Sequence, residues 1–269
     1  MLYKYCDTNG FDILVNLRLK ASKVNDFNDP FDLAFGMDDT NAFERIKSEL
    51  EKEPRYMKKW ANELTKQGIP HKKNSATAMA TVVSKFLIEG QENALRVVEE
   101  FFNKKFGITC LSKHPDIIQM WSHYADTHKG IVVGLDENEF VDDSKNLVNV
   151  EYKKEMVLLP YTASIPIISK RAREEYERKF REVLGRKERN WYYEQEVRLL
   201  ASLDEQDPDG NYYVEIPPSS IKELYLGIRA TKISEIVAKA LKHKAEFKHL
   251  KIYRMEKSFK AYKLLPKEI

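Results

Sequence analysis

A chain of 269 residues with 42% hydrophobic and 11% aromatic content can bury enough apolar surface to offset its ordering entropy, which excludes an intrinsically disordered protein. A net charge of only +3 excludes the molecule-wide field of a strongly basic nucleic-acid binder. No apolar run approaches the roughly 20 residues that span a bilayer, and the opening Met1-Leu2-Tyr3-Lys4-Tyr5-Cys6-Asp7 lacks the basic-then-apolar order of a secretory leader.

Leu2 to Tyr5 fits a short strand and Phe11 to Leu17 a short helix or turn. Leu17-Arg18-Leu19-Lys20-Ala21 alternates with the period of a half-buried strand. The next stretch, Asn25-Asp26-Phe27-Asn28-Asp29-Pro30-Phe31-Asp32, forms a rigid loop, because Asx side chains bond nearby backbone and proline fixes φ. From about 42 to 106 the apolar spacing becomes helical. Phe43, Ile46 and Leu50 form one stripe, Met57, Trp60 and Leu64 a second, and Ala94, Leu95, Val98, Phe101 and Phe102 a third. Pro54 and Gly68-Ile69-Pro70 divide this segment into three or four helices, an insertion between early strands and a later sheet.

Gly107 to Ser112 predicts a strand, and Pro115 to Asp126 a helix with proline in its first turn and Gly130 placed to terminate it. Ile131 to Leu135 is a buried strand, Asn146 to Tyr152 another, and Lys170 to Arg189 a long basic helix. Glu194 to Ala201 predicts a strand, with Asn211 to Ile216 returning beside it after the turn Asp207-Pro208-Asp209-Gly210. Ile221 to Leu226, a helix from Thr231 to about Phe247, and Leu250 to Met255 make a βαβ unit. Phe259 to Leu264 is the last predicted strand. The expectation is a single α+β domain over residues 1–269, with a mixed, mostly antiparallel sheet, flanking helices and a helical insertion at about 42–106. The two cysteines, Cys6 and Cys110, make no disulfide framework, so a reducing cytoplasm is the expected compartment.

On a strand from Glu194, alternation puts Glu194, Glu196 and Arg198 on one face and Val197 and Leu199 on the other. Two carboxylates beside a guanidinium hold defined ionisation states, since the cation favours the charged form and the second anion opposes it. Such a pair suits an oxocarbenium-like centre, as in glycosyl transfer; the competing role is an ordinary solvated salt bridge. Trp121 and Tyr124, three apart on a helix, share a face, with His123 pointing elsewhere. That face can stack on a flat ring or simply pack in the core. Asn28 and Asp29 could orient an amide or a sugar, although the turn alone accounts for both. Cys110, His114, His123 and His128 do not have zinc-ligand spacing, so no metal is expected. No phosphate-binding glycine motif or serine-hydrolase elbow occurs. Between Lys239 and Lys263, nine Lys and Arg stand against two Glu, a stripe able to touch nucleic-acid phosphates or to serve as a solvated surface.

Four ordered stretches carry a resemblance: Leu2-Tyr3-Lys4-Tyr5; Phe27-Asn28-Asp29-Pro30-Phe31-Asp32; Met120-Trp121-Ser122-His123-Tyr124-Ala125-Asp126 with His128-Lys129-Gly130-Ile131; and Trp191-Tyr192-Tyr193-Glu194-Gln195-Glu196-Val197-Arg198. Together they resemble the bacterial family catalogued as domain of unknown function twenty-nine seventy-one, over nearly the whole chain outside the insertion. That family implies no activity. The order of a basic first strand, a strand ending in Ser before an aromatic-bearing helix, and a late Glu-x-Glu is also similar to the ADP-ribosyltransferase plan. That similarity implies NAD as substrate, with Lys4 and Ser112 positioning it, Tyr124 packing on the nicotinamide and Glu196 holding its ribose. Tyr3, Trp121, Asn28 and Asp29 are further NAD-binding candidates beside that set, and Glu194 and Arg198 join Glu196 as catalytic candidates. The chain departs from the plan in having Lys4 for Arg or His, and Cys110-Leu111-Ser112 for Ser-Thr-Ser. The implied activity is ADP-ribosyl transfer to a nucleic acid or protein, as in toxins and phage-defence effectors. The residues also allow a nonenzymatic nucleic-acid or nucleotide-binding module, or a metal-independent nuclease using Glu194, Glu196 and Lys4.

Overall fold

Strand-forming runs from both ends of the chain assemble one sheet in the computed structural model, which describes residues 1–38, 40–72, 74–90, 92, 96, 99–100, 103–141, 147–160, 170–203 and 206–269. The chain begins with β1 (Leu2–Cys6), α1 (Asp12–Asn16), β2 (Arg18–Ala21) and β3 (Phe35–Asp38). Three helices follow, α2 (Ala42–Lys52), α3 (Pro54–Lys66) and α4 (Ala76–Glu89). Next come β4 (Phe106–Ser112), α5 (Ile118–His123), β5 (Ile131–Leu135), β6 (Leu147–Asn149), β7 (Glu151–Lys153) and β8 (Val157–Pro160). The remainder is α6 (Lys170–Leu184), β9 (Arg186–Glu188), β10 (Glu196–Ser202), β11 (Tyr212–Glu215), β12 (Ile221–Leu226), α7 (Lys232–Leu241), β13 (Lys251–Lys257) and β14 (Leu264–Glu268). Two units divide these elements: Met1–Asp32, Lys104–Lys154 and Lys187–Ile269 form the first, Leu33–Asn103 and Glu155–Arg186 the second.

The first unit holds an eight-stranded sheet in the order β14-β13-β12-β5-β1-β4-β10-β6. Only β12 and β13 run parallel among its paired strands, joined through α7, so the sheet is mixed and mostly antiparallel. All five residues of β5 are buried, as expected of a central strand covered on both faces. Leu111, Val133, Leu135, Leu224 and Ile252 pack on one face with Ala238 and Leu241 of α7. Tyr5, Val132, Tyr225 and Met255 pack on the other with Met120 and Trp121 of α5. The α+β class expected from the sequence is therefore the class observed.

The second unit contains α2, α3, α4 and α6 with the parallel pair β3–β8. Its core realises two of the predicted stripes, with Ile46, Leu50, Trp60 and Leu64 buried and Phe43 and Met57 packed against them. The third stripe, Ala94, Leu95, Val98, Phe101 and Phe102, lies outside the described residues.

Several sequence expectations are corrected. β11 pairs with β2, not with β10. Both edges of β10 are already taken by β4 and β6, leaving no free hydrogen-bonding row for a hairpin partner. The last strand starts at Leu264, and Phe259 and Tyr262 lie in the turn before it. Lys170–Leu184 ends five residues before Arg189. The α5 helix stops at His123 and is followed by Asp126, Thr127 and His128 in left-handed backbone. Gly130 does not cap it. A Cβ there would sit 2.1 Å from the Cys6 carbonyl oxygen, so glycine is required by close approach to β1.

Candidate active site

The strand expected from Glu194 begins at Glu196. Arg189–Glu194 is a 3₁₀ helix, and Gln195 at φ 46° turns the chain into β10. Glu194 thus reaches the site from a helical turn, while Glu196 and Arg198 reach it from one strand face. In the register, Glu196 stands opposite Ser112 and Arg198 opposite Cys110 on β4, with Tyr3 of β1 opposite Ser112 on the other side. Three adjacent strands, β1, β4 and β10, therefore present polar residues at one place.

Asp32, Lys187, Glu194, Glu196 and Arg198 are all buried there. The Lys187 ammonium donates to Glu194 Oε2 at 2.7 Å and Glu196 Oε2 at 3.1 Å, and pairs with Asp32 Oδ2 at 3.0 Å. Three N–H donors thus meet three carboxylates. Arg198 Nη2 donates to Asp32 Oδ1 at 2.6 Å, and Arg198 Nε to Glu196 Oε1 at 3.0 Å. Asp32, Arg198, Glu196 and Lys187 close a ring of two anions and two cations, in which every carboxylate oxygen has a cationic partner. Ionic burial is tolerable only when paired in this way.

Glu194 is the fifth charge, outside that balance. Its Oε1 accepts from the Tyr124 hydroxyl at 2.6 Å, and Tyr124 accepts in turn from Asn28 Nδ2 at 3.3 Å. Burial raises the Glu194 carboxyl above its usual value despite Lys187 and Tyr124. Glu196 behaves oppositely: burial pushes it up, but Arg198 and Lys187 outweigh burial and hold it at about 2. Lys187 and Arg198 are pushed down by burial and raised further by their carboxylates, so both stay charged. Burial, with the Glu194 carboxylate, keeps Tyr124 protonated well above its ordinary range.

All of these groups but Arg198 border a hollow of about 380 Å³, lined among others by Tyr3, Lys4, Asn28, Asp32, Tyr124, Lys187, Glu194 and Glu196, within the range of small-molecule sites. Lys4 Nζ donates to the Cys110 carbonyl at 3.1 Å, and no ion pair to it occurs among the described residues. Cys110 also lines the hollow, but burial, reinforced by Glu196, pushes its thiol well above the usual value, which removes the thiolate a nucleophile would need.

The remaining sequence candidates fall in different places. Ser112 is buried beneath Glu194, and its Oγ donates to the Glu194 carbonyl at 2.7 Å. Trp121 is fully buried in the core, its indole N–H donating to the Pro115 carbonyl at 2.7 Å. Asp29 Oδ1 accepts from the Phe31 amide at 2.9 Å, which is turn chemistry. Neither Trp121, Asp29, Ser112 nor Arg198 is among the residues bordering the hollow. His123, expected to point away, borders it and meets the Tyr193 hydroxyl at 3.1 Å.

Residues 120–199 match the model of the family described as Protein of unknown function (DUF2971). The resemblance read from the sequence holds over that segment. The DUF2971 match contains Tyr124, Lys187, Glu194, Glu196 and Arg198, whereas Lys4, Asn28, Asp32 and Ser112 come from outside it. No curated protein and no solved structure matches the chain. Two members of the charge ring, Asp32 and Lys187, are not marked out by the sequence. Asp32 closes the Phe27-Asn28-Asp29-Pro30-Phe31-Asp32 stretch, whose turn chemistry explains Asp29 and leaves Asp32 unaccounted for. Lys187 lies on β9, just past a lysine- and arginine-rich helix, where one more cation carries no signal in the sequence.

Proposed function

We propose that the hollow cleaves the nicotinamide–ribose bond of NAD and passes ADP-ribose to a macromolecule. The observation that carries this reading is the position of Glu194, a surplus carboxyl bordering the hollow beside a neutralised ring of four charges. A buried carboxylate without a full share of positive charge gains most from a cation forming next to it. The anomeric carbon becomes such a cation as the glycosidic bond breaks and its electron pair leaves with neutral nicotinamide. Attack by an acceptor hydroxyl or amine then forms the new bond, and its proton passes to Glu194, whose raised pKa makes it the better base.

The other residues support this division of labour. Glu196, saturated by Arg198 and Lys187, acts as a positioning residue that keeps Lys187 aimed at Glu194. Tyr124 and Asn28 fix the outer oxygen of Glu194. The Lys4 ammonium borders the hollow, has no carboxylate partner among the described residues and suits a diphosphate. Tyr3, Tyr5 and Phe27 add aromatic wall for a flat ring. No described helix is long and apolar enough to cross a membrane, and the reading places the enzyme in the cytoplasm, with a toxin or phage-defence role.

The test is to mix the protein with NAD and cell lysate and measure free nicotinamide and ADP-ribose adducts by mass spectrometry. Release by the wild type and its loss in a folded Glu194→Gln variant are expected. Silence across protein, DNA and RNA acceptors would leave the nonenzymatic reading in its place.

A further inference from the structure

The turn between β13 and β14 exposes two aromatic rings completely, Phe259 at 102% and Tyr262 at 103%. Tight backbone bonds hold them out: the Ser258 amide donates to the Lys263 carbonyl at 2.9 Å, and the Lys263 amide to the Ala261 carbonyl at 2.8 Å. Beside them runs a groove of about 620 Å³ whose lining includes Arg229, Lys257, Lys260 and Lys263 and no acidic residue. One of these cations, Lys263, has a carboxylate near it, Asp116 at 3.9 Å, the outer limit of an ion pair. Arg229 Nη1 donates to the Thr127 carbonyl, a neutral partner.

We infer that this groove binds single-stranded nucleic acid, with bases stacked on Phe259 and Tyr262 and phosphates against Arg229, Lys257, Lys260 and Lys263. Rings in the open are costly unless something covers them. Every base has a flat face to offer, and a backbone carrying one negative charge per nucleotide complements four cations in a lining that holds no acid, with Asp116 near Lys263 alone. A duplex hides its base faces, so the rings select single strands. The short helix α5 joins the two sites, since Ile118 borders the groove while Met120 and His123 border the hollow. Binding needs no NAD chemistry; that the bound strand is the ADP-ribose acceptor rests on the reading above.

The experiment is fluorescence anisotropy without NAD, using a short labelled oligonucleotide as single-stranded DNA, as RNA and as duplex. Stronger binding of the single strands is expected. Neutralising four phosphates predicts a salt slope of about −2.8, or roughly a 50-fold loss between 50 and 200 mM salt. Phe259→Ala and Tyr262→Ala should each weaken binding by about 5-fold or more, and Lys260→Glu should weaken it and flatten the salt dependence. Both rings lie wholly in solvent, so neither alanine threatens folding. Binding unchanged by the alanines, a preference for duplex, or capture by phosphatidylserine vesicles with no affinity for the oligonucleotides would each overturn the inference. Nicotinamide release separates the two readings: strands bound without NAD cleavage sink only the enzyme, and NAD cleaved without strand binding sinks only the groove.

Discussion

Replacing Glu194 and Glu196 separately by glutamine should give opposite results, although both are buried at 3% exposure and both bond Lys187. Glu196→Gln keeps the side-chain volume but removes the anion that Arg198 meets at 3.0 and 3.3 Å and Lys187 at 3.1 Å. Asp32 and Glu194 would remain to balance both cations, but Arg198 would lose its two-pronged partner in a fully buried site. Breaking a buried pair from one side costs about 3–5 kcal/mol, which at roughly 2–4 °C per kcal/mol lowers the melting temperature by about 6–20 °C. Glu194→Gln leaves the four-membered ring intact and removes the one anion without a matching cation, so stability should change by less than about 1 kcal/mol or rise. Thermal and urea denaturation at neutral pH measure both, alongside nicotinamide release. Equal destabilisation by the two variants, or a silent Glu196→Gln, refutes the charge ring.

The two carboxyls also predict opposite pH behaviour. Glu194 titrates higher folded than unfolded, so its proton stabilises the fold at low pH and that contribution fades as pH rises through the folded value. Acidification should therefore stabilise the wild type relative to Glu194→Gln, and should stop nicotinamide release at a midpoint above the ordinary value of about 4.3. A midpoint at or below that value argues against Glu194 as the base. Glu196, held at about 2 in the fold, contributes fully above about 4.3 and less as pH falls toward its folded value, a loss that denaturation of Glu196→Gln against wild type across acid pH would reveal. Ser112→Ala leaves the buried Glu194 carbonyl without its side-chain donor and should cost about 1–3 kcal/mol, read as a shift in urea midpoint; no shift would mean the hydroxyl does not hold the turn. Lys4→Ala should raise KM for NAD by roughly tenfold or more with little change in kcat, if Lys4 binds the diphosphate equally in ground and transition states. A fall confined to kcat contradicts that role.

Local pattern was enough wherever one element's own spacing decides its structure. Ile46, Leu50, Trp60 and Leu64 show their buried face by intervals of three and four, and the alternation from β12 through α7 to β13 is legible as a parallel pair with a crossover helix. Strand partners were less accessible. Tyr212–Glu215 follows β10 after a good turn, yet it joins β2, because pairing depends on which edges other strands leave free.

The identity of the polar residues, and their gathering into two short stretches near Asp32 and Glu194, was written in the linear chain. Their ionisation was not. Asp32 and Arg198 stand 166 positions apart and meet at 2.6 Å, and the proton affinity of a buried carboxyl is set by its burial and by the charges within a few ångströms, whatever their distance along the chain. Only the folded arrangement therefore distinguishes Glu196, held ionised inside a balanced ring, from Glu194, left with the unmatched charge at the border of the hollow.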